Sequence, residues 1–271
     1  MKKLIFGLGL VVCGAYPLPL LCQDYSEIIK TIAFSDSLEK AKTVKDIDKA
    51  LVNPANVIAL KLNLYSYSDT INFQKFTANI PKFKNLRKII IDNFFHFDLT
   101  VPAELWNLKK LEFVSLHNLK IESFTGLDAL NNLKYLSLMA SMLKKIPNQV
   151  YSLTNLEFLD LTLNLIDTIP PDIKMLTKLR ELDLSNNCFK SIPVAVTELS
   201  NLEYLDFDNP EKAGKFPDGT QSCQNELTIF PDISKMTSIK TISIHKLILT
   251  DENIKVKMYQ SYKKEFKGSI K

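Results

Sequence analysis

Two consecutive stretches, residues 156–178 (LEFLDLTLNLIDTIPPDIKMLTK) and residues 179–201 (LRELDLSNNCFKSIPVAVTELSN), follow one 23-residue pattern. Both fit LxxLxLxxNxLxxIPxxIxxLxx, where L and I stand for any large apolar residue, so apolar residues recur at fixed positions in each stretch. Self-similarity with a period of about 20–29 residues and this leucine spacing indicates a solenoid of stacked coils. The pattern therefore predicts the architecture of the chain, but it names no ligand.

The same pattern extends in both directions from this stretch. Its first apolar position recurs in eight units, with spacings of 29, 25, 22, 23, 23, 23 and 37 residues. These positions are Val57, Leu86, Leu111, Leu133, Leu156, Leu179, Leu202 and Ile239. Apolar residues follow at the third and fifth positions after each start, which is typical of a strand with one buried face. Because one coil cannot bury its leucines alone, the stacked coils are expected to share a core behind a parallel sheet.

The second half of each unit contains the residues that turn the chain. An apolar residue followed by proline recurs six times, at Ile80, Val101, Ile146, Ile169, Ile192 and Phe230. Proline has a fixed φ and no N–H donor, which suits an irregular convex side. Apolar pairs three residues apart then predict short helical turns that pack inward. Asn164 and Asn187 occupy a position at which a buried amide can bond to the backbone of the turn.

The chain resembles the bacterial secreted leucine-rich repeat proteins, whose 23-residue LxxLxLxxNxLxxIP units are also similar to those of Ras-pathway scaffold proteins. The resemblance covers residues 38–249 and is strongest over residues 133–207. It implies an α/β fold, a right-handed leucine-rich repeat solenoid of about eight coils. A parallel sheet would form the concave side, with helical caps at both ends. This architecture serves many partners, so the resemblance specifies the fold far better than the function.

The N-terminus has the composition of a signal peptide. Residues 1–22 combine a basic start with an apolar run that ends before polar residues, and they predict an exported protein that is secreted, periplasmic or on the cell surface. The alternatives are a membrane anchor, which Pro17 and Pro19 disfavour, and a lipoprotein acylated at Cys22. No second apolar run is long enough to span a bilayer, so we expect no integral membrane span after signal removal.

The remaining chain divides into three predicted regions. Residues 23–56 form an N-terminal cap helix region, residues 57–249 form the repeats, and residues 250–271 form a C-terminal cap helix. Lysines crowd the C-terminal helix, so contact with a membrane surface is an alternative to capping. An irregular insertion at residues 208–226 lengthens one repeat. It is interpreted either as a functional loop or as a tolerated surface insertion.

Four cysteines are present, and two of them lie in the predicted signal segment. Cys188 follows a predicted strand, and Cys223 lies in the insertion of the next repeat, at the same edge of the solenoid. Neighbouring coils stack about 5 Å apart, so a disulfide between them is geometrically allowed. Two free thiols are the alternative, although an exported protein can keep a disulfide.

The concave face is the predicted binding surface. Side chains between the buried strand positions give an aromatic strip, with Glu181 in the same column, and beside it an acidic strip. The strips are Phe113, Tyr135, Phe158 and Tyr204, and Asp160, Asp183, Asp206 and Asp208. Aromatic residues with a polar rim are favoured at protein interfaces, and carboxylates favour a basic peptide or protein. Alternatively, the aspartates are ordinary for this repeat, and the rings stabilise each other.

The sequence gives no support for catalysis. The region after residue 22 has four glycines, too few and too scattered for a phosphate-binding loop, and no metalloprotease or nucleophile-elbow motif is present. The three histidines are scattered, so no metal site and no cofactor is predicted. The net charge of +4 includes Lys2 and Lys3 of the predicted signal segment, so the remaining chain is nearly neutral. Nucleic-acid binding needs a concentrated basic face and is therefore not predicted. Two hypotheses remain: an exported module that binds a protein or peptide, and an envelope-associated structural protein held by the C-terminal helix or a lipidated Cys22.

Overall fold

A computed structural model describes residues 31–95, 98–209, 216, 220–227, 231–232, 235–244 and 269–270. The predicted signal segment, Cys22 and residues 250–268 of the predicted C-terminal helix lie outside the described residues, as do His96 and His245. Across the described residues, no helix is long and apolar enough to span a bilayer.

Ten parallel strands form the main sheet, and each predicted unit contributes a strand that begins two residues after its first apolar position. In spatial order the strands are β1 (Thr43–Val44), β2 (Ala59–Leu64), β3 (Lys88–Asn93), β5 (Phe113–His117), β7 (Tyr135–Ser137), β8 (Phe158–Asp160), β9 (Glu181–Asp183), β10 (Tyr204–Asp206), β11 (Thr241–Ser243) and β12 (Ser269–Ile270). Equivalent positions pair between neighbours, as when Tyr135 lies beside Phe158 and Leu136 beside Leu159. The predicted parallel sheet is therefore confirmed, and each column of the repeat becomes a line across the sheet.

The opposite side of the coils is built from short helical turns and one small sheet. Strands β4 (Thr100–Val101) and β6 (Lys120–Ile121) pair there in parallel. The 3-10 helices are Pro54–Asn56, Tyr67–Asp69, Ile80–Lys82, Ala103–Asn107, Leu127–Ala129, Asn148–Ser152, Pro171–Met175 and Val194–Glu198. Four of them begin directly after a proline of the apolar–proline pairs. The fixed φ of proline is compatible with a helix start, and its missing N–H would have no partner there.

The leucine core fills the space between the sheet and these turns. In one coil Leu159 and Leu161 meet Ile173 and Leu176, and all four are fully buried. Asn164 completes the coil, because its Nδ2 donates to Leu138 O at 2.9 Å and its Oδ1 accepts from Leu143 N at 2.9 Å. Stacked amides of this kind satisfy the buried turn backbone, which apolar side chains cannot do.

The N-terminal region differs from the single cap helix that the sequence predicts. Helices Asp36–Glu39 and Ile47–Val52 are separated by β1, which pairs with β2 at the edge of the sheet. The β-branched Thr43 and Val44 suit a strand, and pairing protects an edge that would otherwise expose unpaired backbone groups. At the other end, β12 lies beside β11, where the sequence predicted a helix over residues 250–271. A further helix, Thr70–Thr77, fills the expanded first unit, which begins at Val57.

Candidate functional site

A segment before the first strand crosses the concave face of the sheet. We call residues 31–41 the N-terminal strap. Ile32 and Leu38 are buried, and they pack in one cluster with Phe34, Ala41 and the rings of the aromatic strip. The Phe34 ring centroid lies 6.0 Å from that of Phe113. The strap therefore covers a second apolar layer, on the side of the sheet that faces away from the leucine core.

The first three rings of the aromatic strip stack on each other beneath the strap. Phe113 and Tyr135 are 3.9 Å apart between ring centroids and nearly parallel, and Tyr135 and Phe158 are 4.5 Å apart. We call these three residues the aromatic ladder. All three are buried, whereas Tyr204 is half-buried at the edge of the same cluster. The register of equivalent strand positions produces the stack, because neighbouring strands lie about 4.8 Å apart.

The acidic strip lies beside the ladder, and each of its central carboxylates closes the end of a strand. Asp160, Asp183 and Asp206 accept the backbone N–H two residues further on, at 2.9, 2.9 and 2.7 Å. Asp160 is buried and also accepts from Ser137 Oγ at 2.6 Å. These bonds give the aspartates a role in the turn of the repeat, and they fix the carboxyl groups at the base of the concave face.

Burial and crowding raise the pKa of two of these carboxyl groups, Asp183 and Asp206. Burial raises the pKa of Asp183 well above its ordinary value, and the charges of Asp206 and Asp160 raise it further. Burial also raises the pKa of Asp206 to about 6, and Asp160 contributes in the same direction. The remaining predicted residues, Glu181 and Asp208, are half-buried on the same half of the face. Asp208 Oδ1 accepts from Asn209 N at 2.7 Å.

A polar chain that the sequence reading missed runs across the first coils. Lys61 Nζ lies 2.8 Å from Asp92 Oδ2, and His117 Nδ1 lies 2.7 Å from Asp92 Oδ1. His117 Nε2 in turn lies 2.8 Å from Ser115 Oγ and 3.1 Å from Ser137 Oγ. Burial of Asp92 opposes ionisation, but His117 and Lys61 outweigh it and hold the pKa of Asp92 below its ordinary value.

This order of carboxylate, imidazole and hydroxyl resembles that of a nucleophilic triad, but its environment does not suit catalysis. Ser115 is 2% exposed and Ser137 is 0% exposed, so neither hydroxyl can reach a substrate. A nucleophile must be placed beside the reacting atom. We therefore assign this row of polar residues a structural role. Asp92, His117 and the two serines provide hydrogen-bond partners for one another beneath the surface.

A second feature missed by the sequence reading is a row of alternating charges at the start of the strands. The residue after the first apolar position of each unit alternates in sign over seven coils, a signal readable in the sequence. The charge row is Arg87, Glu112, Lys134, Glu157, Arg180, Glu203 and Lys240. Arg87 Nη1 contacts Glu112 Oε1 at 2.7 Å, and Arg180 Nε contacts Glu203 Oε1 at 2.6 Å.

The last four members of the charge row border an open groove. Glu157, Arg180, Glu203 and Lys240 line it together with three polar residues of the preceding turns, and its volume is about 570 Å³. Arg180 lies between Glu157 and Glu203, and Lys240 bonds to Glu203. The groove thus offers charges of both signs along the edge of the concave face.

The insertion is fastened to the solenoid at its neck. Cys188 and Cys223 form the disulfide that the spacing allowed, with a sequence separation of 35 residues. Asn225 takes the next position in the row of stacked asparagines after Asn164 and Asn187. Its Nδ2 donates to Leu184 O at 2.9 Å, and its Oδ1 accepts from Phe189 N at 3.1 Å. Asn209 and Asn225 also bond to each other across the neck. The repeat therefore resumes at Asn225, inside the predicted insertion.

No part of the site as described has the composition of a metal centre. Within the described residues, no group of three or more His, Cys, Asp or Glu side chains could hold a metal ion. The carboxylates of the acidic strip are instead used by backbone N–H groups and hydroxyls.

Comparison with known families agrees with this geometry. A family model described as a leucine-rich repeat region matches residues 104–266, which is more than half of the chain. The chain belongs to the leucine-rich repeat family. The predicted family and fold class are thereby confirmed. Proteins of this family typically act as binding modules rather than as enzymes. No curated protein sequence matches the chain.

Solved structures include similar solenoids. A leucine-rich repeat protein of Leptospira interrogans has a TM-score of 0.58 and 25% identity, over 78% of this chain and 54% of that one. An internalin of Listeria monocytogenes has a TM-score of 0.48 and 18% identity, over 84% and 70% of the two chains. The ectodomain of a plant membrane receptor kinase from Arabidopsis thaliana has a TM-score of 0.44 and 20% identity, over 69% and 24%. The chain thus spans about half the length of the Leptospira protein.

Proposed function

We propose that this chain is an exported recognition module that binds a protein or peptide partner through its concave sheet face. The observation that carries the proposal is the aromatic ladder, which lies outside the leucine core and is contacted by a polypeptide segment, the strap. Rings in this position are not required to fill the core of the solenoid. Rigid aromatic side chains beside charged groups are what protein interfaces use as anchors.

The C-terminal half of the concave face supports the class of partner. Glu181, Asp183, Asp206 and Asp208 are half-buried there, and the strand register sets Glu181 beside the half-buried Tyr204. The members of this group that are ionised give a negative potential, which attracts a complementary surface and speeds its association. We therefore propose that the partner presents a basic segment to this half of the face.

Export of the chain is supported by two separate features. The disulfide between Cys188 and Cys223 belongs to oxidising compartments, and residues 1–22 have the composition of a signal peptide. The measurement is the mass of the protein recovered outside the cytoplasm. We expect a mass lower by about the first 22 residues and by two hydrogen atoms, which oxidation of the two thiols to the disulfide removes. An intact N-terminus with free thiols would contradict export.

Partner capture tests the binding face. The immobilised chain would be exposed to envelope and environmental extracts beside a variant with Glu181→Lys and Tyr204→Ala, which changes the open half of the concave face. A matched control with Asp172→Lys and Met175→Ala makes similar changes on an exposed turn of the convex side. We expect the control to retain the captured protein and the concave variant to lose it. Equal capture by both variants would contradict binding through this face.

A further inference from the structure

The strap is held by polar contacts that alternate with its apolar ones. Thr31 Oγ1 accepts from Arg180 Nη1 at 2.8 Å, the carbonyl of Ala33 accepts from Lys134 Nζ, and Ser35 N donates to Glu112 Oε2 at 2.7 Å. Ile32 and Phe34, which lie between these residues, belong to the apolar cluster. One edge of the strap thus contacts charged side chains, and the other contacts aromatic rings.

All three anchoring side chains belong to the charge row. Glu112, Lys134 and Arg180 stand at the starts of β5, β7 and β9, so the strap follows the row across four neighbouring strands. Residues 32–35 are neither helix nor strand, and Phe34 N donates to Ile32 O at 3.0 Å in a compact turn. The face therefore recognises a short irregular backbone, and it does so without adding a strand to the sheet.

The strap adds nothing to the leucine core. Leu136 and Leu159, on the other face of the same strands, are 0% exposed and belong to the leucine core cluster, which contains no strap residue. Without the strap, the aromatic ladder would present a contiguous apolar patch, and such patches mark interaction sites in soluble proteins. The solenoid can keep its core whether or not the strap covers the rings.

We propose that the aromatic ladder and the charge row form a peptide-binding site, which the strap occupies in this structure as an intramolecular ligand. The inference rests on the proposed function and specifies its partner. The partner is a peptide segment of another protein that carries two apolar side chains two residues apart, flanked by hydroxyl residues. This is the chemistry of residues 31–35, which are already seated on the ladder.

Such a ligand must compete with the strap. A partner that binds only the uncovered state has an apparent affinity reduced by the fraction of molecules in that state. Opening the strap should therefore tighten peptide binding by the same factor. The groove beside Arg180, Glu203 and Lys240 continues the charge row beyond Thr31, so a longer peptide would extend into it.

The test uses the full chain and a fluorescent synthetic peptide of residues 31–41, TIAFSDSLEKA. Ile32→Asp with Phe34→Asp opens the strap, because carboxylates cannot be buried against the rings without a large desolvation cost. Ala33→Asp with Ser37→Asp adds the same charge at two exposed positions of the strap and serves as the matched control. Peptide binding is measured by anisotropy, and the fold of each variant is checked by thermal melting.

We expect the opened variant to bind the peptide at least tenfold more tightly than the wild type or the control. Adding Lys134→Ala, a half-buried anchor outside the core, should weaken that binding severalfold. Phe34→Ala alone is a milder opening that keeps the test available if the double variant does not fold. A folded opened variant that binds no peptide would overturn the inference.

Two further outcomes would also count against the inference. A peptide with both apolar residues replaced by aspartate should not bind. If it binds as tightly as the original peptide, then the aromatic ladder does not contribute to recognition. A wild-type dimer that exchanges straps, detected by light scattering, would assign the site to a second copy. Partner capture that depends on Glu181 and Tyr204 would survive each of these failures, so the proposed function is judged separately.

Discussion

The two halves of the concave face share one repeat frame but present different surfaces. Over β5, β7 and β8 the column nearest the strand start contains the aromatic ladder, and the strap covers it. Over β9 and β10 the same column contains Glu181 and Tyr204, and the neighbouring column contains Asp183 and Asp206; here the strap contributes the bond between Thr31 and Arg180, and Tyr204 lies at the edge of the apolar cluster. A change of side chains on an unchanged backbone thus converts a closed apolar half into a half-exposed acidic one.

This difference shows how a solenoid separates stability from recognition. The leucine core is continuous through both halves, so each coil is stabilised by its neighbours regardless of what it presents on the concave face. Side chains on that face are free to form an apolar patch, which is covered, or a charged patch, which water can solvate. The following changes test whether the two halves depend on these features as the contacts indicate.

The largest expected effect is at the centre of the covered half. Tyr135 is 0% exposed and stacks on both Phe113 and Phe158. Tyr135→Ala should lower the free energy of unfolding by roughly 3–5 kcal/mol, because it removes a buried ring and leaves a cavity under the strap. Urea unfolding followed by circular dichroism measures this loss.

Tyr204→Ala is the matched change in the open half. Tyr204 occupies the equivalent position of β10 and is only half-buried, so its loss should be about 1 kcal/mol. Equal losses at the two tyrosines would show that the halves do not differ in packing and would remove the basis of the comparison.

The disulfide gives the open half a covalent constraint that the covered half lacks among the described residues. Replacing both Cys188 and Cys223 by serine should lower the free energy of unfolding by roughly 3–4 kcal/mol, since the disulfide closes a loop with a separation of 35 residues. A reducing agent should bring the wild type to the same stability. If reduction leaves the unfolding midpoint unchanged, then the bonds of Asn209 and Asn225 alone hold the neck.

The acidic column of the open half should make stability depend on pH. Asp206 has a folded-state pKa of about 6, raised by burial and by Asp160, against about 3.9 for an unfolded aspartate. The stabilisation that follows from this raised pKa is therefore fully present in the free energy of unfolding below about pH 4, and it is lost as the pH rises through about 6. Asp206→Asn removes this dependence, so the variant should gain up to roughly 2–3 kcal/mol relative to the wild type between pH 4 and 7.5.

Glu203→Gln is a control with the opposite sign. Burial opposes ionisation of Glu203, but hydrogen bonds and charges from Arg180 and Lys240 outweigh it and hold its pKa below the ordinary value. Its contribution is present above the unfolded pKa and is lost as the pH falls through the lower folded pKa. The glutamine variant should therefore lose stability at neutral pH and approach the wild type in acid. Parallel pH profiles for the two variants would contradict these assignments.

The repeat pattern predicted the sheet and the core because both follow from periodicity. Spacing alone placed Leu159 and Leu161 on the buried face and brought Asp160, Asp183 and Asp206 into one column. It also placed Cys188 and Cys223 at one edge of the solenoid, where they form the disulfide. These features depend on local register, which a period fixes without knowledge of distant contacts.

The cover on the aromatic ladder depends on a contact between distant parts of the chain. Ser35 and Glu112 are 77 residues apart in sequence, and no repeat pattern links them. The sequence therefore showed an aromatic strip but not that Phe113, Tyr135 and Phe158 are buried under the strap. The sign alternation of the charge row is present in the sequence, but the leucine pattern defines only the buried positions and does not predict the residues beside them.

The smallest effect is expected where the strap meets the charge row. Ser35 donates to Glu112 through both its N–H and its Oγ, and Arg87 contacts the same carboxylate. Ser35→Ala removes one charge-assisted bond and leaves the backbone bond, so the strap should loosen by about 1 kcal/mol. Hydrogen exchange should then be roughly fivefold faster in residues 31–41 while the leucine core keeps its protection. Ser37→Ala removes only the solvent-exposed bond between the Ser37 and Ser35 hydroxyls and leaves both bonds to Glu112, so it should change neither. If Ser35→Ala accelerates exchange in the core strands to the same degree, then the strap opens only when the whole solenoid unfolds, and the covered half cannot act as a site that its own chain uncovers.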